Sequence, residues 1–265
     1  MKIQSLLENI LPGRRKGKKT GLALGGGAVL GAAHVGVLRA IEEQGIHIDA
    51  VAGTSIGALV AAMYAFGRNW RDIGEMARHL HWFDISGLSP SQYGLLNNEK
   101  MGKKIRDLLG KVSFNETRIP LAIVTADISK GEKVVLREGD VGKAVMASSC
   151  IPGMFKPVQY DGRMLVDGGI MENVPIQPLR DMGMDYVIGV DLNTRHSYKK
   201  PRHIIDVIMN ATLIMMNTAT KIQTSKADLM ITPDLSPFNL VDTSQVDDLI
   251  EEGYREARDG LRLFA

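Results

Sequence analysis

Five consecutive residues of this 265-residue chain, Gly53-Thr54-Ser55-Ile56-Gly57, have the types and spacing of a serine made reactive by its turn. A G-x-S-x-G pentapeptide between a strand and a helix bends the backbone sharply and lifts the serine oxygen to the top of a sheet. Gly53 and Gly57 flank the turn because side chains there would strike neighbouring backbone. The context fits: "IHIDAVAG" reads as a buried strand and "SIGALVAAMYAFG" as the helix after it. The competing reading is packing alone, with small residues letting a helix lie close to a sheet.

A serine hydroxyl needs a base. Six histidines are available. His34 falls within a helix, His47 precedes a strand, and His79 and His81 close another helix. His196 and His203 follow the strand ending at Asp191, and the order Ser55, Asp167, then His196 or His203 suits a hydrolase triad. The alternative is direct use of a carboxylate. Asp127, Asp167 and Asp191 each end a strand, and Gly168 and Gly169 after Asp167 leave its carboxylate free to approach a substrate. For all three, a turn or a helix cap is an equal reading.

A second loop, "LGGGAVLG" at residues 24–31, joins the first strand to the first helix. Leu30 stands where a dinucleotide fingerprint starting at Gly25 needs its third glycine, and no G-K-[ST] follows. A nucleotide-binding protein is therefore the weaker reading. What remains is a set of backbone N–H groups at a helix N-terminus, suited to an anion or to the oxyanion of a tetrahedral intermediate. A close-packed corner would use the same glycines.

The frame for these loops is an alternation of strands and helices from residue 20 onward, which predicts an α/β fold with a mainly parallel central sheet and helices on both faces. Helices are expected over 69–81, "NEKMGKKIRDLLG", "DVGKAVMASSC", "PIQPLRDMG", about 203–226 and 244–263. Strands are expected at "IPLAIVTADI", "GRMLVDGG", "MDYVIGVDL" and "ADLMITPDL", with "EKVVLREG" as an antiparallel hairpin partner. Residues 84–98, rich in Ser, Gly and Asn, read as a loop. In such sheets ligands gather at the carboxyl ends of the strands, where Ser55, the glycines at 25–27 and the three aspartates fall.

Composition narrows the function classes. Apolar residues make up 45% and charged residues 23%, ordinary values for a globular protein. The single cysteine, Cys150, forms no intrachain disulfide and fits a reducing, cytoplasmic setting. No apolar run approaches the roughly 18 residues that span a bilayer, and no secretory leader is expected. Lys2, Arg14, Arg15, Lys16, Lys18 and Lys19 stand against Glu8 alone, so the first 20 residues exceed the whole chain's +2 and the rest is net negative. Nucleic-acid binding through a broad basic face is thus not expected of the domain. Residues 1–19 combine an amphipathic "IQSLLENIL" with "RRKGKK", which suits peripheral contact with the inner face of an anionic membrane. A helix packed on the domain followed by a solvated linker is the plainer reading. Met209, Met215 and Met216 lie on the long helix over 203–226, which reads as a core or dimer helix, with an acyl groove as the alternative.

Four ordered blocks, "GLALGGGAVLGAAHVGVLRAI", "GTSIG", "ASSCIPGMFKPV" and "LVDGGIMENVPIQPLRDMG", resemble those of patatin-like phospholipases, over a match running from about residue 20 to the end. The resemblance implies two segments, a tail over 1–19 and a hydrolase domain over 20–265. It implies hydrolysis of lipid or other acyl esters by a Ser–Asp dyad, with no cofactor and no metal. Ser55 would be the nucleophile and Asp167 the general base, which demotes Asp127, Asp191 and the histidines. The N–H groups around Gly26, Gly27 and Ala28 would form the oxyanion hole. The family usually carries Arg or Lys just before the last glycine of the loop, where this chain has Leu30. An oxyanion hole made of N–H groups survives that change, whereas a cation for a phosphate headgroup does not. Two related readings share the site, a thioesterase or an acyltransferase. A third is a catalytically weak regulatory or membrane-adaptor member of the same fold.

Overall fold

The computed structural model describes residues 18–79, 87–91, 94–194, 200–239 and 242–262. The tail of residues 1–17, His81 and His196 lie outside them.

Five parallel strands form the body of the main sheet. Their order is β11 (Leu229–Ile231), β10 (Tyr186–Val190), β1 (Thr20–Leu24), β2 (Ala50–Thr54) and β5 (Leu121–Asp127). Their sequences alternate in size. Leu22 and Leu24 of β1, Val51 of β2, and Leu121 and Ile123 of β5 enter one buried cluster, while Ala23, Ala50, Ala52 and Ala122 enter another. The period of two puts large side chains on one face and alanines on the other. On the large-residue face lie α1 (Ala33–Glu43), α2 (Ile56–Ala65) and the last helix, α9 (Val246–Arg262), all contributing to the main cluster. The alanine face is covered by α7 (Ile176–Asp181) through Ile176 and Leu179. Helices α1 and α9 cross where Gly36 meets the backbone of Ile250 and Tyr254, and Gly253 meets that of Ala33. Any side chain at either glycine would force the helices apart.

Strand β5 organises the site. One of its edges carries β6 (Glu132–Leu136), the antiparallel hairpin partner expected from the sequence. The other edge is shared end to end. Its lower half, Leu121 to Val124, pairs parallel with β2, and its upper half, Thr125 to Asp127, pairs antiparallel with β9 (Arg163–Asp167). Thr54 is the partner of Val124 and Asp167 the partner of Thr125. Two strands distant in sequence therefore finish at consecutive residues of a third. β8 (Val158–Tyr160) completes the sheet antiparallel to β9. The sequence suggested one antiparallel departure; the sheet contains three antiparallel pairings, with two strands, β6 and β9, running against the others.

Residues 84–98 correct the expectation of a loop. β3 (Gly87–Ser91) and β4 (Gly94–Asn97) form an antiparallel hairpin, and β4 pairs parallel with β7 (Gly153–Phe155) in a small second sheet. The local composition favours turns, but the pairing that fixes β4 comes from residues far along the chain. The remaining helices are α3 (Trp70–Arg78), α4 (Glu99–Leu109), α5 (Val141–Ser148), the short α6 (Gly169–Glu172) and the long α8 (Ile204–Gln223). No helix among the described residues is long and apolar enough to cross a membrane.

Candidate active site

Ser55 sits between β2 and α2 with φ 56° and ψ −127°. Positive φ is uncommon for a residue with a side chain, and holding Ser55 there costs on the order of 1–3 kcal/mol. The turn is enforced from both sides. A Cβ on Gly53 would run into the Gly57 carbonyl and Ala58, and one on Gly57 into the Leu24 and Gly25 carbonyls. Both glycines are thus required by close backbone approach, as the sequence suggested. The Ser55 N–H donates to Ser148 Oγ at 2.8 Å, and the Ser148 hydroxyl donates to the Val124 carbonyl at 2.6 Å. The serine turn is thereby pinned through the end of α5 to β5. Thr54 Oγ1 donates to the Glu172 carbonyl at 3.0 Å, fixing the residue before it.

Asp167 arrives from the other strand on the same edge of β5. Its N–H donates to the Cys150 carbonyl at 2.9 Å, and its Oδ1 accepts the Gly169 N–H at 2.8 Å. The segment 148–150 thus holds Ser55 through the Ser148 hydroxyl and Asp167 through the Cys150 carbonyl. A Cβ on Gly168 would strike the Val124 carbonyl, which explains the first glycine after Asp167. Ser55 and Asp167 are both largely buried, at 9% and 6% exposure. Burial raises the Asp167 carboxyl from its usual 3.8 to about 6, opposed by hydrogen bonding from the Ser55 hydroxyl and the Gly169 N–H. A hydroxyl beside a carboxylate tuned towards neutrality can pass its proton there while its oxygen attacks a carbonyl carbon.

The glycine loop closes on this pair. Gly26 lies against Ser55, so that a Cβ there would come to 3.0 Å from the serine Cβ and 2.8 Å from Asn173 Oδ1. Its peptides are oriented by polar groups from elsewhere. His34 Nε2 hydrogen-bonds the Gly25 carbonyl at 2.7 Å, and Asn193 Nδ2 donates to the Gly26 carbonyl at 2.7 Å. The Gly25 N–H donates to the Val190 carbonyl at 3.1 Å, and the Gly26 N–H to the Asn173 carbonyl at 3.4 Å. The N–H groups of Gly27 and Ala28 have no acceptor among the described residues. Ala28 has φ 52°, a left-handed conformation that turns the chain into the 3-10 segment Ala28–Ala32. Two adjacent N–H groups at a helix N-terminus can hold a negative oxygen.

Among the described residues, Asp127, Asp191 and the four histidines take other places. Asp127 Oδ1 accepts from Ser129 N and Oγ at 3.0 and 2.6 Å, which holds its carboxyl below the usual range. Asp191 accepts from Asn193 N and Thr194 Oγ1 at 2.9 and 2.6 Å. Both are turn-forming aspartates. His34 is fully buried, and that burial lowers its pKa to about 4, so the ring is neutral at neutral pH. His47 lies 3.5 Å from Asp49, and His79 and His203 are exposed. Leu30 is buried in the main apolar cluster. No group of three or more His, Cys, Asp or Glu that could hold a metal ion occurs among the described residues.

Sequence reasoning missed three of the supports, Ser148, Asn173 and Asn193; His34 was legible as a packed helix residue but not as the partner of the Gly25 carbonyl. The block "ASSCIPG" signalled Ser148 only as part of a pattern; Ser148, His34 and Asn193 act on backbone through their side chains, and Asn173 through its main-chain carbonyl.

A family model described as patatin-like phospholipase matches residues 22–180. An uncharacterised NTE family protein of Mycobacterium tuberculosis is 37% identical over 178 residues, 66% of this chain and 49% of that protein. Neuropathy target esterase of Drosophila melanogaster is 33% identical over 187 residues, 68% of this chain and 13% of its own length. A lysophospholipase of Pyricularia oryzae is 33% identical over 186 residues, 67% of this chain and 12% of that protein. The matched segment spans about half or less of these curated relatives. Among solved structures, VipD from Legionella pneumophila superposes with a TM-score of 0.57 at 14% identity, covering 93% of this chain and 67% of its own. ExoU from Pseudomonas aeruginosa, in complex with SpcU, gives 0.51 at 13% identity, covering 93% and 52%. At that identity the likeness is one of fold.

Proposed function

The chain belongs to the patatin-like phospholipase family, and from that premise we propose that it is a serine hydrolase of lipid acyl esters. The observation that carries the reading is the pairing of Ser55, held at φ 56°, with a buried Asp167 whose pKa is raised to about 6. Ser55 Oγ attacks the ester carbonyl carbon and its proton passes to Asp167. The negative oxygen of the tetrahedral intermediate is received by the N–H groups of Gly27 and Ala28, while Gly26, lacking a side chain, leaves room beside Ser55. Collapse breaks the ester bond, and Asp167 returns the proton to the departing alcohol. Water then attacks the acyl-Ser55 ester, Asp167 takes its proton, and the fatty acid leaves as Ser55 recovers its hydrogen. Neither a metal nor a cofactor enters this sequence. Loss of one oxyanion donor in such a site typically costs about 3 kcal/mol in the barrier.

Residues 20–265 form the hydrolase domain in this reading, and residues 1–19 a basic segment suited to peripheral membrane contact. Leu30 supplies no cation, so a phosphate headgroup is not held from the glycine loop and acyl esters without phosphate are equally acceptable. The test is labelling by a fluorophosphonate, followed by peptide mapping. The expected adduct is on Ser55, absent in Ser55→Ala and strongly slowed in Asp167→Asn. A folded wild-type protein that takes no label and hydrolyses no ester would leave the adaptor reading in its place.

A further inference from the structure

Helix α8 has two faces, and the wrong one is apolar. Its inner face, made by Met216, Thr220 and Gln223, lies on α6: Met216 Cε occupies the space a Cβ on Gly169 would need, and Gln223 Nε2 donates to the Met171 carbonyl at 2.7 Å. Positions 207, 211, 214, 215, 218 and 222 fall on the opposite side at helical spacing, and all six are exposed. They are Val207, Ala211, Ile214, Met215, Thr218 and Ile222, with the exposed Lys221 at the edge beside Ile214 and Thr218, so the outward face carries one hydroxyl, one cation and no acid. Ile214 is 50%, Met215 64% and Ile222 73% exposed. Of the five large exposed hydrophobic residues among the described residues, four lie on this stripe. Such a concentration marks a surface that meets something apolar.

The charges around the stripe identify what it meets. Lys200 and Arg202 precede the helix, Lys221 lies on the edge of the stripe, and Lys226 follows with its Nζ donating to Gln177 Oε1 at 3.3 Å, while the sequence from 200 to 226 contains one acid, Asp206. This basic setting belongs to a domain whose remaining charge is net negative. An apolar stripe flanked by cations fits a bilayer with anionic headgroups, the apolar side chains entering the boundary and the lysines staying at headgroup level. Its position fits as well, because the inner face of the same helix touches Gly169, whose N–H holds Asp167.

We propose that the outward face of α8 docks the protein on an anionic lipid surface, presenting the Ser55–Asp167 site to substrate in the membrane. The proposal rests on the lipid-ester reading above and names a surface separate from the N-terminal tail. Full-length protein is sedimented with phosphatidylcholine vesicles, with and without phosphatidylglycerol, as wild type and as Ile214→Glu/Ile222→Glu. Wild type is expected to bind the anionic vesicles, less so at high salt. The double variant is expected to bind about 10-fold more weakly for each isoleucine removed from the boundary. Hydrolysis of a phospholipid in those vesicles should fall in parallel, while turnover of a water-soluble short-chain ester stays at the wild-type rate, which also shows that the variant is folded. Ile214→Ser/Ile222→Ser provides a milder pair with the same ordering. Equal vesicle binding by wild type and variants overturns the proposal. So does a wild-type dimer by light scattering that the variants dissociate without change in vesicle binding, because the stripe then joins two copies of the chain. Vesicle binding is read without turnover, so a wild type that binds through the stripe yet hydrolyses no ester supports the docking face and rejects the hydrolase reading.

Discussion

Replacing Asp167 by Asn should make the protein more stable at neutral pH while removing its activity. The carboxyl is raised from 3.8 to about 6 chiefly by burial, so folding disfavours its ionised form by roughly 3 kcal/mol. An amide has nearly the same shape, keeps an oxygen for the Gly169 N–H, and carries no charge. Asp167→Asn should therefore gain up to about 3 kcal/mol at neutral pH, a rise in Tm of roughly 6–12 °C for a chain of this size. The sign fixes the pH window. A carboxyl with a raised folded pKa gives the wild type its full relative stability below 3.8 and loses it as pH rises through about 6. The advantage of the variant should thus shrink as pH falls below about 6 and vanish near 3.8. His34 runs the other way: its pKa is lowered from 6.5 to about 4 by burial, so its neutral ring favours the fold above 6.5 and that contribution is lost as pH falls towards 4. In the wild type the two buried groups nearly offset each other over this range. In Asp167→Asn the His34 loss stands alone, roughly 3 kcal/mol between pH 6.5 and 4. Urea unfolding across that range measures both proteins directly. A variant less stable than wild type at neutral pH, or a difference independent of pH, would refute the reasoning.

Two more predictions concern the same residues. Removing the Ser148 hydroxyl in Ser148→Ala leaves the Ser55 N–H and the Val124 carbonyl without their partner, at a cost of about 1–3 kcal/mol in stability. With the turn loosened, fluorophosphonate labelling of Ser55 should slow on the order of 10- to 100-fold, and an unchanged labelling rate would show that Ser148 does not position it. For the proposed reaction, kcat/KM should rise with pH through about 6 as Asp167 ionises and then level, because the base acts only when deprotonated. A profile flat across that range would remove Asp167 from the role of base.

The serine turn was legible because its constraint is local: Gly53 and Gly57 are forced by backbone lying within a few residues or at the end of the neighbouring strand. Asp167 was legible as a strand end followed by two glycines, but not as the partner of Ser55 on grounds of spacing, since β9 runs opposite to β2 and its direction depends on pairing with Thr125. Strand direction leaves little trace in a short apolar run. The hairpin of β3 and β4 was hidden for the same reason, its third strand lying well beyond it in the chain. The supports of the glycine loop were hidden by their chemistry. His34, Asn173 and Asn193 meet main-chain groups or lie between glycines, and a main-chain partner has no identity in a sequence. Helix α8 was read in period but not in sense: Met216 faces inward as a core methionine would, whereas Met215 beside it is mostly exposed. The side chain of Met209 lies outside what is described.

The shared edge of β5 has a consequence for how this protein can change. The spacing of hydroxyl and carboxylate is measured along two consecutive residues of one strand, Val124 and Thr125, and not along the chain that separates Thr54 from Asp167. Apart from β5 itself and the segment 148–150 that pins both groups, the loops, helices and small second sheet in that interval can lengthen or be replaced without moving the pair, so long as both strands keep their register. A slip of β9 by one residue would be another matter, turning the carboxylate to the opposite face of the sheet. Variation in what the molecule recognises is thus separated from the geometry of the two groups proposed to do the chemistry.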